Sequence, residues 1–265
     1  MTLPSPADKI APPSAADAIM QNHYNITPIA RVHSPYRQKF GIPRQPRLAP
    51  HIISQIELLP GFNRQEMIRG LEHCSHIWLL FIFSATAEQG WRPTVQPPRM
   101  GKKRYGVFAT RSPFRPNPIG MSAVKLEKIE QCGNKLCLHV SGADLLDGTP
   151  IIDIKPYLPY SDAVSEARFD LVEHLGELDL PVVFSDLAQQ QCQTLTEALQ
   201  QPLEAQITEL LRCDPRPVYD RQDEDRVFGV QLHHLNIRFC MRNSEIEVRE
   251  ITPLAGNHQW DNEAT

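Results

Sequence analysis

The stretch "AVKLEKIEQCGNKLCLHV", Ala123 to Val140, decides the architecture. Leu136, Leu138 and Val140 alternate with Lys135, Cys137 and His139, the period of a strand with one apolar face. Gly133-Asn134 lies where the two halves meet, with the residue chemistry of a tight hairpin turn. An antiparallel pair therefore sits mid-chain. Working outward, "TPIIDIKPY" reads as the next strand. "HIWLLFIFSAT", from His76, is too continuously apolar for a half-exposed strand and reads as a central, buried one. "ITPIARVHSP" reads as a strand ended by Pro35, and "HIISQIELLP" as one closed by Pro60-Gly61. Only "NRQEMIRGLEHCS" reads as a helix among them, with Met67, Ile68 and Leu71 on one face and Asn63 as N-cap. Strands that follow one another through turns favour an antiparallel barrel or sandwich over a parallel doubly wound sheet.

After Tyr160 the texture changes. "SDLAQQQCQTLTEALQ" and "LEAQITELLRC" read as two helices interrupted at Pro202, and "VFGVQLHHLNIRFCMRNSEIEVREI" as strands, His233 and His234 among them. The expected organisation is a Pro/Ala-rich disordered tail over 1–24, a main β domain over 25–160 and a smaller α+β domain over 161–265. The longest apolar run, His76 to Phe83, is far short of the ~20 residues that span a bilayer. With no signal-peptide core, a cytoplasmic location without membrane contact is expected. Six scattered cysteines without a C-x-x-C pair read as reduced thiols.

The net charge of −4 conceals an asymmetry. Gln89 to Leu126 holds eight bases and no acid, and Ala18 to Ile56 holds five bases and no acid. From Ser165 to the end there are 19 acids, 8 arginines and no lysine. Locally basic loops in an acidic chain suit a phosphate-bearing partner. Both basic windows contain proline-stiffened loops: "RQKFGIPRQPRL", Arg37 to Leu48, and "YGVFATRSPFRPNPIGMSAVKL", Tyr105 to Leu126. Proline lowers the entropy lost when a loop is ordered around a ligand. "SGADLLDGTPIIDIKPY" adds an acidic turn at Asp144 and Asp147, and "LRCDPRPVYD" adds Asp214, Arg216 and Tyr219 after a helix. No G-x-G-x-x-G follows a strand, and neither G-x-x-x-x-G-K-[ST] nor G-x-S-x-G occurs, which disfavours Rossmann, P-loop and hydrolase-elbow chemistry. His73 and His76 with nearby aspartates are the one metal-like pattern, and its spacing is weak.

Together "SPYRQKFGIPRQP", "RGLEHCSHIWLLFIF", "GWRPTVQPPR", "GVFATRSPFRPNPIGMS", "DLLDGTPIIDIKPYLPY" and "DPRPVY" resemble the TsaA/TrmO family, also known as YaeB or VirR-like proteins. The resemblance implies an antiparallel β-barrel that binds S-adenosylmethionine, a small C-terminal domain and a homodimer. It implies methylation of N6 of threonylcarbamoyladenosine next to the tRNA anticodon. Carried over by motif, the cofactor residues are Gln45, Pro46, Arg47, Phe83, Ser84, Arg111, Met121, Asp144, Leu145, Leu146 and Asp147. Arg115, Asp214, Arg216 and Tyr219 are candidates for substrate contact, with no metal and no named proton acceptor. On this reading Arg111 pairs with the methionyl carboxylate, and the aspartates hold ribose or amine. A carboxylate against the sulfonium would stabilise the ground state more than the transition state, so positioning carries the rate. The rival readings are a non-catalytic RNA- or nucleotide-binding barrel and a metal-dependent hydrolase at His73 and His76.

Overall fold

In the computed structural model the described residues are 24–97, 103–172, 178–216, 226–242 and 244–254. Among the described residues twelve strands run in chain order: β1 Ala30–His33, β2 Ile53–Leu58, β3 His76–Ile82, β4 Thr94–Val95, β5 Tyr105–Gly106, β6 Ile119–Cys132, β7 Lys135–Ser141, β8 Pro150–Pro156, β9 Val182–Phe184, β10 Phe228–Leu232, β11 Leu235–Arg242 and β12 Glu245–Pro253.

The mid-chain hairpin forms, with β6 and β7 antiparallel and Gly133 at a φ of 60° in the turn, but β7 is buried on both faces, Cys137 and His139 included. Six strands pair in the order β1-β2-β7-β6-β3-β8, and β1 pairs back onto β8 to close the sheet as a barrel. Closure removes the free edges that a short open sheet would present. Ile77, Leu79 and Phe81 of β3 point inward, and they share a core with Val32, Ile56, Val124, Leu138, Val140 and Ile151. The other face of β3 is half-buried rather than fully covered. There Trp78 packs on Tyr157, ring centroids 5.6 Å apart, and donates Nε1–H to Asp162.

The expected helix after Asn63 is shorter than its pattern suggests. It spans only Gln65–Ile68, followed by a 3₁₀ turn at Leu71–His73. Gly70, at a φ of 98°, breaks it between the two. Arg64 stands at the cap position, Asn63 donates instead to the Asn134 carbonyl, and Met67 is exposed.

The second sheet has the order β10-β11-β12-β9, with β9 parallel to β12 and the rest antiparallel. Helices α1, Asp186–Leu199, and α2, Leu203–Arg212, accompany it. Ser185 caps α1 by accepting from the Ala188 N–H at 3.1 Å. Gln200 in the left-handed region and Pro202 then separate the helices. His233 and His234 form the β10–β11 turn rather than strand positions. Alongside Leu203, Ile207, Leu210 and the strands, this core contains Tyr36, Ala49 and Ile52. A segment from between β1 and β2 thus completes the C-terminal core.

Candidate functional site

That inserted segment carries the first basic loop. The C-terminal elements hold it at both ends. The His233 N–H donates to the Pro35 carbonyl at 2.8 Å. The His51 N–H donates to Glu209 at 3.0 Å, its ring nitrogen also meets Glu209, and its carbonyl accepts from Gln206 at 3.0 Å. Gln206 is buried and accepts from His233 Nε2 at 2.9 Å. In the middle, Gly41 has a φ of 92°, and a Cβ there would lie 2.2 Å from Val230. Only glycine lets the loop lie this close to β10. The far end rests on the barrel: the Arg47 N–H donates to the Gly142 carbonyl at 2.8 Å. A Cβ on Gly142 would lie 2.9 Å from Arg47 Cα.

The second basic loop is braced from within. Val107 is buried and opens a 3₁₀ turn, Val107–Ala109. Thr110 closes it, donating N–H and Oγ1–H to the Val107 carbonyl at 3.1 and 2.8 Å. Arg115 Nη1 donates to the Thr110 and Ser112 carbonyls at 3.1 and 3.4 Å. The Phe83 N–H donates to the Pro118 carbonyl at 2.8 Å, tying the end of β3 to the start of β6. A Cβ on Gly120 would strike Phe81 and Phe83, so the strand crosses these rings only as glycine.

The two loops meet where Arg111 Nη1 donates to Gln45 Oε1 at 2.6 Å. Asp144 stands near them. It accepts from Ser122 Oγ at 2.5 Å, and burial pushes its carboxyl up to about 6. The Ser122 bond, a backbone bond and the Arg111 charge pull the other way without cancelling the desolvation. An arginine whose charge reaches a nearby carboxyl matches the two ends of an amino-acid zwitterion. These residues therefore fit the methionyl part of S-adenosylmethionine.

Arg111 bonds to Gln45 and its charge acts on Asp144, and Pro46 and Arg47 sit on the same loop as Gln45. Phe83 meets the second loop, and Ser84 opens the exposed turn that follows it. Lys39 of the first loop donates to the Ala85 carbonyl at 2.7 Å. The remaining expectations are corrected by geometry. Leu145 is buried in the barrel core, so its side chain cannot line an open pocket, whereas Leu146 is half-buried. Met121 is exposed on the face of β6 opposite Ser122, away from the Ser122–Asp144 pair. Asp147 is already engaged, accepting from the Ser34 N–H at 2.9 Å and from Arg37 at 2.5 Å. Arg216 and Asp214 form a buried ion pair, Nε to Oδ1 2.8 Å, and do not reach outward. Tyr219 lies outside the described residues. His73 is exposed beside Glu72, and among the described residues no group of three His, Cys, Asp or Glu is placed to hold a metal.

Sequence reasoning missed Ser122, Glu209, Gln206 and Tyr36. Tyr36 is fully buried, its hydroxyl has no hydrogen-bond partner among the described residues, and burial drives its pKa well above the usual value. Charges at Cys213, Asp144 and Glu209 push it further. The aromatic in "SPYRQKF" was a visible signal for Tyr36, but nothing local pointed to α2.

The sequence matches the tRNA-methyltransferase O N-terminal domain over residues 31–163 and the TrmO C-terminal domain over 177–254. It is 41% identical over 227 residues to an Escherichia coli K12 protein named tRNA (adenine(37)-N6)-methyltransferase, covering 85% of this chain and 96% of that one. It is 44% identical over 217 residues to a Pseudomonas aeruginosa protein named as a candidate S-adenosylmethionine-dependent methyltransferase, covering 82% of this chain and 92% of that one. The crystal structure of TrmO from Pseudomonas aeruginosa superposes with a TM-score of 0.71 at 38% identity, covering 87% of this chain and 99% of that one.

Proposed function

The chain belongs to the tRNA-methyltransferase O family, and from that premise we propose that it methylates N6 of threonylcarbamoyladenosine beside the tRNA anticodon. It is a tRNA adenine-N6 methyltransferase that uses S-adenosylmethionine. The observation that carries the reading is the Arg111–Gln45 bond. It joins two acid-free loops beside a half-buried carboxyl at Asp144. S-adenosylmethionine supplies an activated methyl group when bound. Arg111 meets its carboxylate and Asp144 its amine or ribose. The rigid loops fix the approach direction, which is where positioning lowers the barrier.

Because Arg115 spends only Nη1 on its own loop, the rest of its guanidinium is the group we assign to the threonyl carboxylate. The homodimer and the cytoplasmic setting complete the proposal. Among the described residues no helix is long and apolar enough to cross a membrane.

Calorimetric titration with S-adenosylmethionine tests the reading. Arg111→Ala removes a charge-assisted contact of about 1.5–3 kcal/mol and should weaken binding roughly 10- to 150-fold. Methyl transfer should then be compared on tRNA carrying threonylcarbamoyladenosine and on tRNA with plain adenosine. Equal turnover on the two would remove the threonylcarbamoyl part of the proposal. Unchanged binding by Arg111→Ala would remove the site.

A further inference from the structure

The second basic window carries four aromatic side chains that are treated in two ways. Arg92 covers Phe114 at 4.8 Å and Lys103 covers Tyr105 at 5.4 Å. Phe108 and Trp91 are bare, 79% and 59% exposed. Single exposed apolar residues are common and need no function. Phe108 differs in how it is held. It is the middle residue of the Val107–Ala109 turn, with Val107 buried behind it and Thr110 locking the turn with two bonds to the Val107 carbonyl. The backbone that carries the ring is therefore fixed, which lowers the entropy lost when a ligand meets it. Trp91 likewise precedes Arg92, which is pinned by its N–H to the Phe114 carbonyl at 3.1 Å and by its stack on the Phe114 ring. The surrounding sequence, Gln89 to Leu126, contains no acid. Phe108 lies three residues before Arg111 on the same loop.

We infer that Phe108, with Trp91, is a stacking platform for unpaired bases of the RNA substrate. The inference rests on the tRNA methyltransferase reading and names the surface that holds the nucleotides around the target. An adenine inside a stack cannot present its exocyclic nitrogen to a methyl donor, so it or its neighbours must be splayed and held. Interleaved cations and bare rings are how proteins hold single-stranded RNA: the cations follow the phosphates and the rings take bases of any sequence. The Phe108 ring has no hydrogen-bonding group, so it takes a base of any sequence.

Steady-state methylation of modified tRNA and calorimetric titration with S-adenosylmethionine test this on the full chain. Both rings are exposed, so Phe108→Ala and Trp91→Ala should fold normally. For Phe108→Ala the KM for tRNA should rise roughly 5- to 150-fold, the range for loss of one stacked base. Donor affinity should stay at the wild-type value, and Phe108→Tyr should restore the KM. Trp91→Ala should act in the same direction. An unchanged KM in both alanine variants would overturn the platform. Weakened donor binding by Phe108→Ala would also overturn it and make the ring part of the cofactor pocket. A shift in oligomeric state with unchanged tRNA KM would overturn it in favour of a protein contact. Absence of transfer by the unaltered chain would overturn the methyltransferase reading, and the platform with it.

Discussion

The two proline-stiffened loops that meet at Gln45 and Arg111 look alike in sequence and are held in opposite ways. The loop around Gln45 depends on other parts of the chain: Gln206 and Glu209 of α2, the β10–β11 turn, and the Gly142 carbonyl. The loop around Arg111 is braced from within through Thr110, Ser112 and Arg115, and its other outside ties run to Phe83, Arg92 and Pro93 rather than to the C-terminal elements. One half of the proposed donor site is thus positioned by the C-terminal elements and the other is not. This gives those elements a role that does not require them to touch RNA. It also suits their acidic composition, which opposes a broad contact with phosphates.

The largest expected effect comes from Gly41→Ala. Alanine there combines a positive φ with a Cβ 2.2 Å from Val230, a strain of about 2–4 kcal/mol. Thermal denaturation should show a midpoint lower by roughly 5–10 °C. Donor affinity should fall as well, because Gln45 moves with the loop. If affinity stayed at the wild-type value, the C-terminal seat would be structural only, and the contrast between the loops would lose its functional meaning.

Glu209→Ala should act more gently. It removes the partner of the His51 N–H and ring, a loss of about 1 kcal/mol given that the His51 side chain is largely exposed. Donor affinity should fall roughly 5-fold while kcat at saturating donor is kept. Arg115→Ala should do the reverse: it loosens the self-braced loop, lowers turnover on modified tRNA, and leaves the first loop and its response to Glu209→Ala unchanged. Additive losses in the double variant would confirm that the loops are independently held; coupling would break the contrast.

The way each loop is held also explains what could be read in advance. The hairpin and the paired helices were legible because each is written in local periodicity, whereas the continuous apolar run of β3 suggested a strand buried on both faces and only one is. Strands joined by turns left a barrel and a sandwich open, and the pairing of β1 with β8 decides for closure. The family was legible through long, unusual runs, and the proposed site residues Gln45, Arg111 and Asp144 come from those runs. The helix after Asn63 failed because Gly70 outweighs three apolar residues at helical spacing. Leu145 and Met121 failed for a different reason. A motif marks a stretch of backbone, but neighbouring side chains on it face opposite ways, and only the register shows which enters the site. Glu209 and Gln206 lie more than 150 positions from His51, a pairing that no local pattern announces.

The smallest effect is a proton at Asp144, and it acts on the join between the loops. The folded-state pKa is raised from 3.8 to about 6, so folding takes up a proton in between. The stability contributed by this group is present below pH 4 and is lost as pH rises through about 6. Donor affinity should run the other way, because the ionised carboxyl is the form that meets an amine or ribose hydroxyl. At pH 6 about half of the sites carry the charge, so affinity should be about half its value at pH 8. Titrations of donor binding across pH 5 to 8 should show this midpoint, and Asp144→Asn should abolish it. Ser122→Ala removes a bond that lowers the pKa, so it should move the midpoint above 6. A midpoint that does not move would mean that some group other than Asp144 titrates at the place where the two loops meet.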